Sequence, residues 1–472
     1  MENQESAVEA ATPVRRRWPV RVLLASLAGS LVLGGALALW AADEPAGQPP
    51  APAPGAQAQA AVRAGVPAAL PGLDALIGER EAYLRTHPKD ARAWAVLGAA
   101  YVEQGRRTAD AAGTFPKAER ALRTSLAVRA RGNAEALEGL AVLANARRDF
   151  RAARGFAEEA LKTQPKRWTA YPPLIDACTG LGDYKAAGRA LDRLTAAHSG
   201  PAVRAWAAGV YRDQGRREDA AAALADAAAA AQAPAEQAAY LERAGQLAFE
   251  RGEPDAALRH FEEAVRLDPD QRAAQAGQGR ALAALGRTSE ALNAYRVALQ
   301  RQPLPQYALE LGELYESLGL TQPARVTYGL LRERARLDAR GGVDDTLVLG
   351  RLEADHGDPA EAVRLLRVEW QRRPGIEVAD ALGWALHRAG QDAEALRYAA
   401  TATDREHGGT VRSAPYAYHR GMIEKSLNQQ GPARRHLQEA LRINPYFSPL
   451  AVREARTALA ALGEPPEVEV PR

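Results

Sequence analysis

The side chains able to do acid–base, nucleophilic or metal chemistry are too scattered along this chain to act together. Its eight histidines fall at 87, 198, 260, 356, 387, 407, 419 and 436, so no helical pair of the H-E-x-x-H kind, which sets two imidazoles on one face, exists. A single cysteine, Cys178, excludes an intramolecular disulfide framework and a thiolate metal cluster. Flanked by apolar residues at helical spacing, it reads as a small buried side chain rather than a reactive thiol. Asp268-Pro269-Asp270 has the look of a calcium loop, but Arg272 stands where a further oxygen ligand is required, and the segment is better read as a junction between elements. Neither a G-x-x-x-x-G-K-[ST] phosphate loop nor a G-x-S-x-G nucleophile elbow occurs. These residues predict a protein that binds rather than catalyses, with no cofactor, no metal and no small-molecule substrate.

Charge narrows the partner. A formal net charge of +3 spread over 472 residues gives no clustered basic footprint, so no nucleic-acid partner is expected. Only six of the 61 basic residues are lysine (Lys89, Lys117, Lys162, Lys166, Lys185 and Lys425), a bias that goes with GC-rich bacterial genomes.

The elements that must position any site repeat themselves. Ala118, Ala153, Ala187, Ala220, Ala257, Ala291, Ala324, Ala362, Ala395 and Ala433 follow one another at 35, 34, 33, 37, 34, 33, 38, 33 and 38 residues, and self-similarity at such a period marks a stacked array. Around them runs a pattern of a small residue, a large apolar one four later and alanine three after that, as in Ala257, Phe261 and Ala264 before Pro269. Tyr295-Ala298-Pro303 and Leu437-Ala440-Pro445 repeat the ending. Upstream of this lies a second helical stripe: Trp94, Leu97, Gly98 and Tyr101 before Gly105, or Leu311, Gly312 and Tyr315 before Gly319. Glycine between the halves ends the first helix, and proline stops the second. Each unit is therefore expected to be helix, turn, helix, stop.

This spacing, Trp94-x2-Leu97-Gly98-x2-Tyr101 with the later Ala-x3-large-x2-Ala and terminal proline, resembles the tetratricopeptide repeat over about residues 88 to 447. The resemblance implies an all-α fold, a right-handed α-solenoid of about ten helical hairpins. Four local departures are expected. About eight extra residues around Thr108 to Phe115 loop out; Pro172-Pro173 delay or kink a first helix; the alanine run Ala220 to Ala233 extends a second helix; and Asp404 to Ser413 forms an exposed loop. A lone helix over Leu73 to Thr86 and a final one over Ser448 to Leu462 would cap the array.

Ahead of the array, residues 1–21 read as a cytoplasmic stub and 22–42 as a transmembrane anchor or signal segment. Val22 to Ala42 is a run of 21 residues without a charge, preceded by Arg15, Arg16, Arg17 and Arg21. As a helix it spans about 30 Å, a hydrocarbon core. Arginines on the near side predict that everything beyond crosses the membrane. The expected location is a single-pass cell-membrane protein with its repeats outside the cytoplasm. Ala36-Leu37-Ala38 and Trp40-Ala41-Ala42 keep open cleavage of a signal peptide and secretion. Residues 43–70, rich in Ala, Pro and Gly, read as a disordered linker, residues 71–463 as the solenoid, and 464–472 as a tail.

The resemblance places the first helix of each hairpin on a concave surface where a peptide or protein partner lies. Carried onto this chain it implies groove positions at Asn145, Asp176, Arg212, Gln246, Phe249, Arg280, Glu313 and Arg351, and at Trp384, His387, Tyr418, Met422 and Lys425 near the end. The last group supplies the aromatic and thioether surface from which binding hot spots are built; packing into the final cap is the competing expectation. The function implied is a membrane-anchored extracytoplasmic scaffold or adaptor. A noncatalytic accessory subunit of a membrane enzyme, transporter or export assembly is the alternative.

Overall fold

Alanines at the repeat positions should vanish from the surface if the period is structural, and they do: all ten, from Ala118 to Ala433, are buried. The computed structural model describes residues 53–404 and 410–463, so the expectations for residues 1–52 and for the tail lie outside the described residues. Among the described residues there are 23 α-helices and no strand.

Ten helical hairpins follow the repeat. Hairpin 1 pairs Ala91–Thr108 with Ala111–Val128, hairpin 2 Ala134–Ala146 with Phe150–Thr163, and hairpin 3 Tyr171–Gly180 with Tyr184–Ala197. Hairpin 4 is Pro201–Asp213 with Arg217–Ala230, hairpin 5 Pro234–Glu250 with Pro254–Leu267, and hairpin 6 Arg272–Ala284 with Thr288–Arg301. Hairpin 7 joins Pro305–Ser317 to Thr321–Arg340, hairpin 8 Thr346–His356 to Pro359–Arg372, hairpin 9 Ile376–Arg388 to Asp392–Thr403, and hairpin 10 Ala414–Ser426 to Gln430–Ile443. A final helix, Ala451–Ala461, covers the last one.

Local chemistry starts and stops these helices. Asp90, Asp110, Asp149 and Asp183 accept from the amides of Ala93, Gly113, Ala152 and Ala186 at 2.9–3.1 Å, which satisfies donors a helix start leaves orphaned. Proline opens others, such as Pro201, Pro234 and Pro305, where its missing N–H costs nothing. Nine of the ten hairpin turns use one left-handed residue, supplied by Gly182, Gly215, Gly252, Gly286, Gly319 and Gly390 but by Ala109, Arg148 and Asn428 in hairpins 1, 2 and 10, while hairpin 8 turns at Gly357 with φ −146°. Alanine at φ 55° pays a steric cost that glycine does not. Ala109→Gly is accordingly expected to stabilise the chain by about 0.5–1 kcal/mol, read as a rise in the denaturant midpoint with an unchanged slope.

Several expectations are corrected. Gly105 does not end a helix; it lies inside Ala91–Thr108, where an added Cβ would come within 2.1 Å of the Thr114 hydroxyl, so it serves close helix crossing. The extra residues near Thr108 to Phe115 do not loop out but lengthen both helices of hairpin 1 to 18 residues. The alanine run does not prolong its helix, which stops at Ala230 after 14 residues; Ala233 is extended because Pro234 follows it. Pro172-Pro173 do delay hairpin 3, whose first helix begins at Tyr171 behind a 3₁₀ turn over Trp168–Ala170. The helix Leu70–Thr86 is not alone. Part of the expected linker, Pro54–Ala64, is helical and packs on it, with Gly72 close to the Pro54 carbonyl and to Ala58. Small residues that read as linker composition here permit two helices to touch.

The array winds back on itself. Hydrogen bonds join residues 192 to 197 apart, between five and six repeats of about 34: Gln302 Nε2 donates to the Arg106 carbonyl at 2.7 Å, Arg147 Nε to that of Gly341 at 2.8 Å, and the Ile376 amide to the Tyr184 hydroxyl at 3.1 Å. Thr410 Oγ1 donates to the Asp213 carbonyl at 2.6 Å, and Asn444 Nδ2 to that of Phe249 at 2.8 Å. The turns of hairpins 1 to 5 thus dock, in order, on the junctions after hairpins 6 to 10. The Asp404 to Ser413 segment is one of these junctions, so its described residues from Thr410 on are docked rather than a free loop. Arg107 and Asp268 close the same seam through a buried ion pair at 2.5 Å.

Candidate functional site

First helices line the inside of this winding, and their side chains pair from one repeat to the next. Arg212 holds Glu250 with two hydrogen bonds of 2.7 Å. Gln246 donates to Glu250 at 2.9 Å and accepts from Arg280. Arg280 grips Glu310 at 2.9 Å, and Glu310 also accepts from the Tyr295 hydroxyl at 3.0 Å. Farther along, Arg351 reaches Glu377 at 3.2 Å, Trp384 Nε1 donates to Asp355 at 2.9 Å, and His419 meets Asp380 at 2.9 Å. Forked guanidinium–carboxylate pairs are strong and directional, so this ladder fixes the wall rather than leaving its charges open.

The predicted groove residues therefore separate into three groups. Arg212, Gln246, Arg280 and Arg351 belong to the ladder. Phe249, Trp384 and Tyr418 are core: Phe249 is buried beneath the Arg280 guanidinium, Trp384 stacks on His419 with centroids 4.3 Å apart, and the buried Tyr418 hydroxyl donates to Glu454 of the final helix at 2.7 Å. Met422 packs against the same cluster. His387 ties its own hairpin through Asp392 at 2.5 Å. The packing expectation for these aromatics matches this geometry, because a large ring beside a terminal repeat is needed to cover it. Lys425 is half-buried, and its side chain makes no hydrogen bond or ion pair among the described residues. Glu313 sits 3.8 Å from His356. Burial pushes the Glu313 carboxyl up; burial pulls the His356 imidazole down, but the Glu313 bond and the surrounding carboxylates outweigh it and leave it raised.

The third group faces a cavity of about 770 Å³ inside the first turn. Asn145 and Asp176 from the prediction line it, together with Trp206, Tyr240, Glu242 and Arg243, which the sequence reading missed. Glu242 lies one helical turn before Gln246, so the stripe that selected Gln246 also passes through it. Asn145 Nδ2 donates to the Pro173 carbonyl at 2.9 Å, while its Oδ1 is buried without a partner. Asp176 is open to water yet walled by protein on its other sides, and its carboxyl is pushed up by that enclosure against the pull of Arg106 and Arg243. Burial likewise raises Glu242 and lowers Arg243.

One rung of the wall predicts a pH dependence. Burial lifts the Asp213 carboxyl to about 6, against the opposing pull of Arg212, which approaches it at 3.2 Å. An acid whose folded pKa is raised binds its proton more tightly when folded, so its contribution is most favourable below an unfolded value near 4 and declines as pH rises to about 6. Asp213→Asn removes that decline. The expected result is a variant whose stability gains on the parent by about 2 kcal/mol between pH 4 and pH 6, measured by denaturation at each pH; parallel curves across this window would refute it.

With the geometry in place, comparison with known proteins gives the following. A family model for the tetratricopeptide repeat matches residues 242–304 and 278–331. No curated protein matches the sequence. Among solved structures, the human IFIT1 dimer with PPP-AAAA is similar at TM-score 0.45 and 16% identity, over 65% of this chain and 71% of that one. Yeast Tom70 is similar at TM-score 0.32 and 12% identity, over 74% and 93%. A tetratricopeptide repeat protein from Parabacteroides merdae aligns at TM-score 0.33 and 17% identity, over 56% and 99%.

Proposed function

We propose, taking residues 242–331 as tetratricopeptide repeats, that this chain is a noncatalytic scaffold that holds a segment of a protein partner within the lumen of its winding. We place it on a membrane through residues 22–42, with the repeats outside the cytoplasm. The observation that carries the binding reading is the open concave cavity lined in large part by the first helices, since concave sites with a few convergent polar groups are where ligands are held. The uncharged run Val22 to Ala42 behind four arginines supports the anchor.

Photocrosslinkers introduced in cells at Ala239, on the cavity wall, and at Val326, on the outer face and 62% exposed, test the binding reading. Crosslinks to a partner chain from position 239 and none from 326 are expected; the reverse would sink it. For location, a reporter active only outside the cytoplasm, fused after Arg472, should give signal, and silence would overturn the orientation.

A further inference from the structure

The seam between the two windings leaves half of its parts unused. Where the turns of hairpins 3, 4 and 5 are docked, a Cβ added to Gly182, Gly215 or Gly252 would come within 3.1 Å of the backbone of Gly375, Thr410 or Asn444. At Gly286, Gly319 and Gly390, the same positions in hairpins 6, 7 and 9, it would meet nothing within 4 Å. At the opposite end of the winding, the junctions after the helix Leu70–Thr86 and after hairpins 1 to 4 receive no hydrogen bond from another winding among the described residues. Gln164-Pro165, in one of these junctions, repeats the dipeptide Gln302-Pro303. Gln302 donates to the Arg106 carbonyl of a docked turn, whereas the Gln164 side chain is exposed and has no partner among the described residues.

These two free ends are opposite in charge. With three residues on either side of each loop included, the five free junctions carry eight cations and three carboxylates, and the turns of hairpins 6 to 10 carry three cations and eight carboxylates. On the junctions, Lys89, Arg131, Lys162 and Lys166 are exposed and make no ion pair among the described residues. On the turns, Glu290, Glu361 and Glu394 are 31–58% exposed and each meets an arginine of its own chain. Such exposed pairs hold little energy, and a carboxylate has about four acceptor sites, so these groups can take a further cation. Both ends also expose apolar side chains. Four of the eight large ones exposed among the described residues lie here, Tyr83 and Val128 beside free junctions and Leu318 and Leu320 at the turn of hairpin 7.

We propose that the turns of hairpins 6 to 10 seat on the free junctions of a second copy of this chain, so that the winding runs on from one molecule into the next. The precedent is internal: hairpins 1 to 5 already dock in this way, with guanidinium–carboxylate pairs such as Arg107 to Asp268 across the seam. Charge gives the contact its direction, because turn against turn or junction against junction sets like charges together, and turn on junction sets carboxylates against cations. The exposed apolar residues of both ends then leave water together, as the core of an interface requires. A contact between unlike ends that continues a screw does not close on itself, and it produces a row of molecules rather than a symmetric pair. This surface is separate from the lumen and does not depend on what the lumen holds.

The test is sedimentation velocity of the full chain in a nonionic detergent, with two charge variants. One carries Lys89→Glu, Arg131→Glu and Lys166→Glu on the junctions; the other carries Glu290→Lys, Glu361→Lys and Glu394→Lys on the turns. The parent is expected to form a concentration-dependent series that extends past the dimer at low salt, and to associate about tenfold more weakly at high salt, where exposed charges are screened. Each variant alone should stay single, because both of its ends then carry one sign. A one-to-one mixture of the two should associate again, which also excludes misfolding as the cause of either loss. A parent that stays single at low salt overturns the proposal, as does a mixture that fails to recover. Association that neither variant disrupts overturns it too, since it would run through another surface. So does a parent that stays single yet binds phosphatidylglycerol vesicles or an oligonucleotide through Lys89, Arg131 and Lys166, which would make the basic end a polyanion site.

Discussion

Phe261→Ala is expected to lower the unfolding free energy by about 3–5 kcal/mol, seen as a fall in the denaturant midpoint. Phe261 is fully buried at the interlock between hairpins 5 and 6. A Cβ added to Gly245 would lie 2.6 Å from its ring, and one added to Gly277 2.5 Å, so the ring fills two glycine notches, one on each hairpin. Removing it leaves a void that helices already in contact cannot collapse to fill. Phe261→Leu keeps most of the volume and should cost about 1.5 kcal/mol or less. Hydrogen exchange should locate the damage in residues 234–301, because a repeat contacts chiefly its neighbours. A loss below about 1 kcal/mol would show that the ring is not the wedge between these repeats.

Asp268→Ala is expected to cost about 3–5 kcal/mol, because it strands the Arg107 guanidinium in the interior. The pair is buried on both sides, at 8% and 7% exposure, and Arg107 Nε already lacks a partner. Asp268→Asn separates the pair from the turn: it can still accept from the Asp270 amide, which lies at 3.1 Å, but it sets an amide NH2 against the Arg107 guanidinium, so the charge and the bond to Arg107 are lost together. The combination Arg107→Met with Asp268→Leu should recover most of the loss, since two apolar side chains of like volume replace a buried ion pair at little cost. A double-mutant cycle with a coupling below about 0.5 kcal/mol would show that the pair does not bind the seam.

The paired helices were legible in the sequence because a buried repeat position admits only a small side chain, and ten alanines at a period near 34 leave few other readings. Turns were legible where glycine makes them, and illegible in hairpin 1, where Ala109 adopts the left-handed conformation that composition assigns to glycine. The docking of one turn on the next was not legible at all. It joins residues near 195 apart and rests on polar residues that end second helices: Asp268, Gln302, Arg373 and Asn444, buried here, against Arg129 and Gln164, exposed at the equivalent place lower in the array. No local pattern distinguishes the two sets. The site suffered from the same blindness. The positions carried over from the resemblance include Arg212 and Arg280, which pair along the wall, and Phe249, Trp384 and Tyr418, which are buried; which charges pair depends on the neighbouring first helix, so the cavity-lining Glu242 and Arg243 went unseen while paired groups were chosen.

An open array of repeats tolerates one unit more or fewer, since each unit only needs a neighbour. This one resembles a screw whose thread is keyed to its own next turn: the tips of hairpins 1 to 5 find their seats only because the count between tip and seat is fixed. Duplicating or deleting any single hairpin between a tip and its seat would slip the thread, carrying the Asp268 carboxylate past Arg107 and Asn444 past the Phe249 carbonyl. Length, which is neutral in most such arrays, is a structural constraint here, and recombination between the copies would be counter-selected.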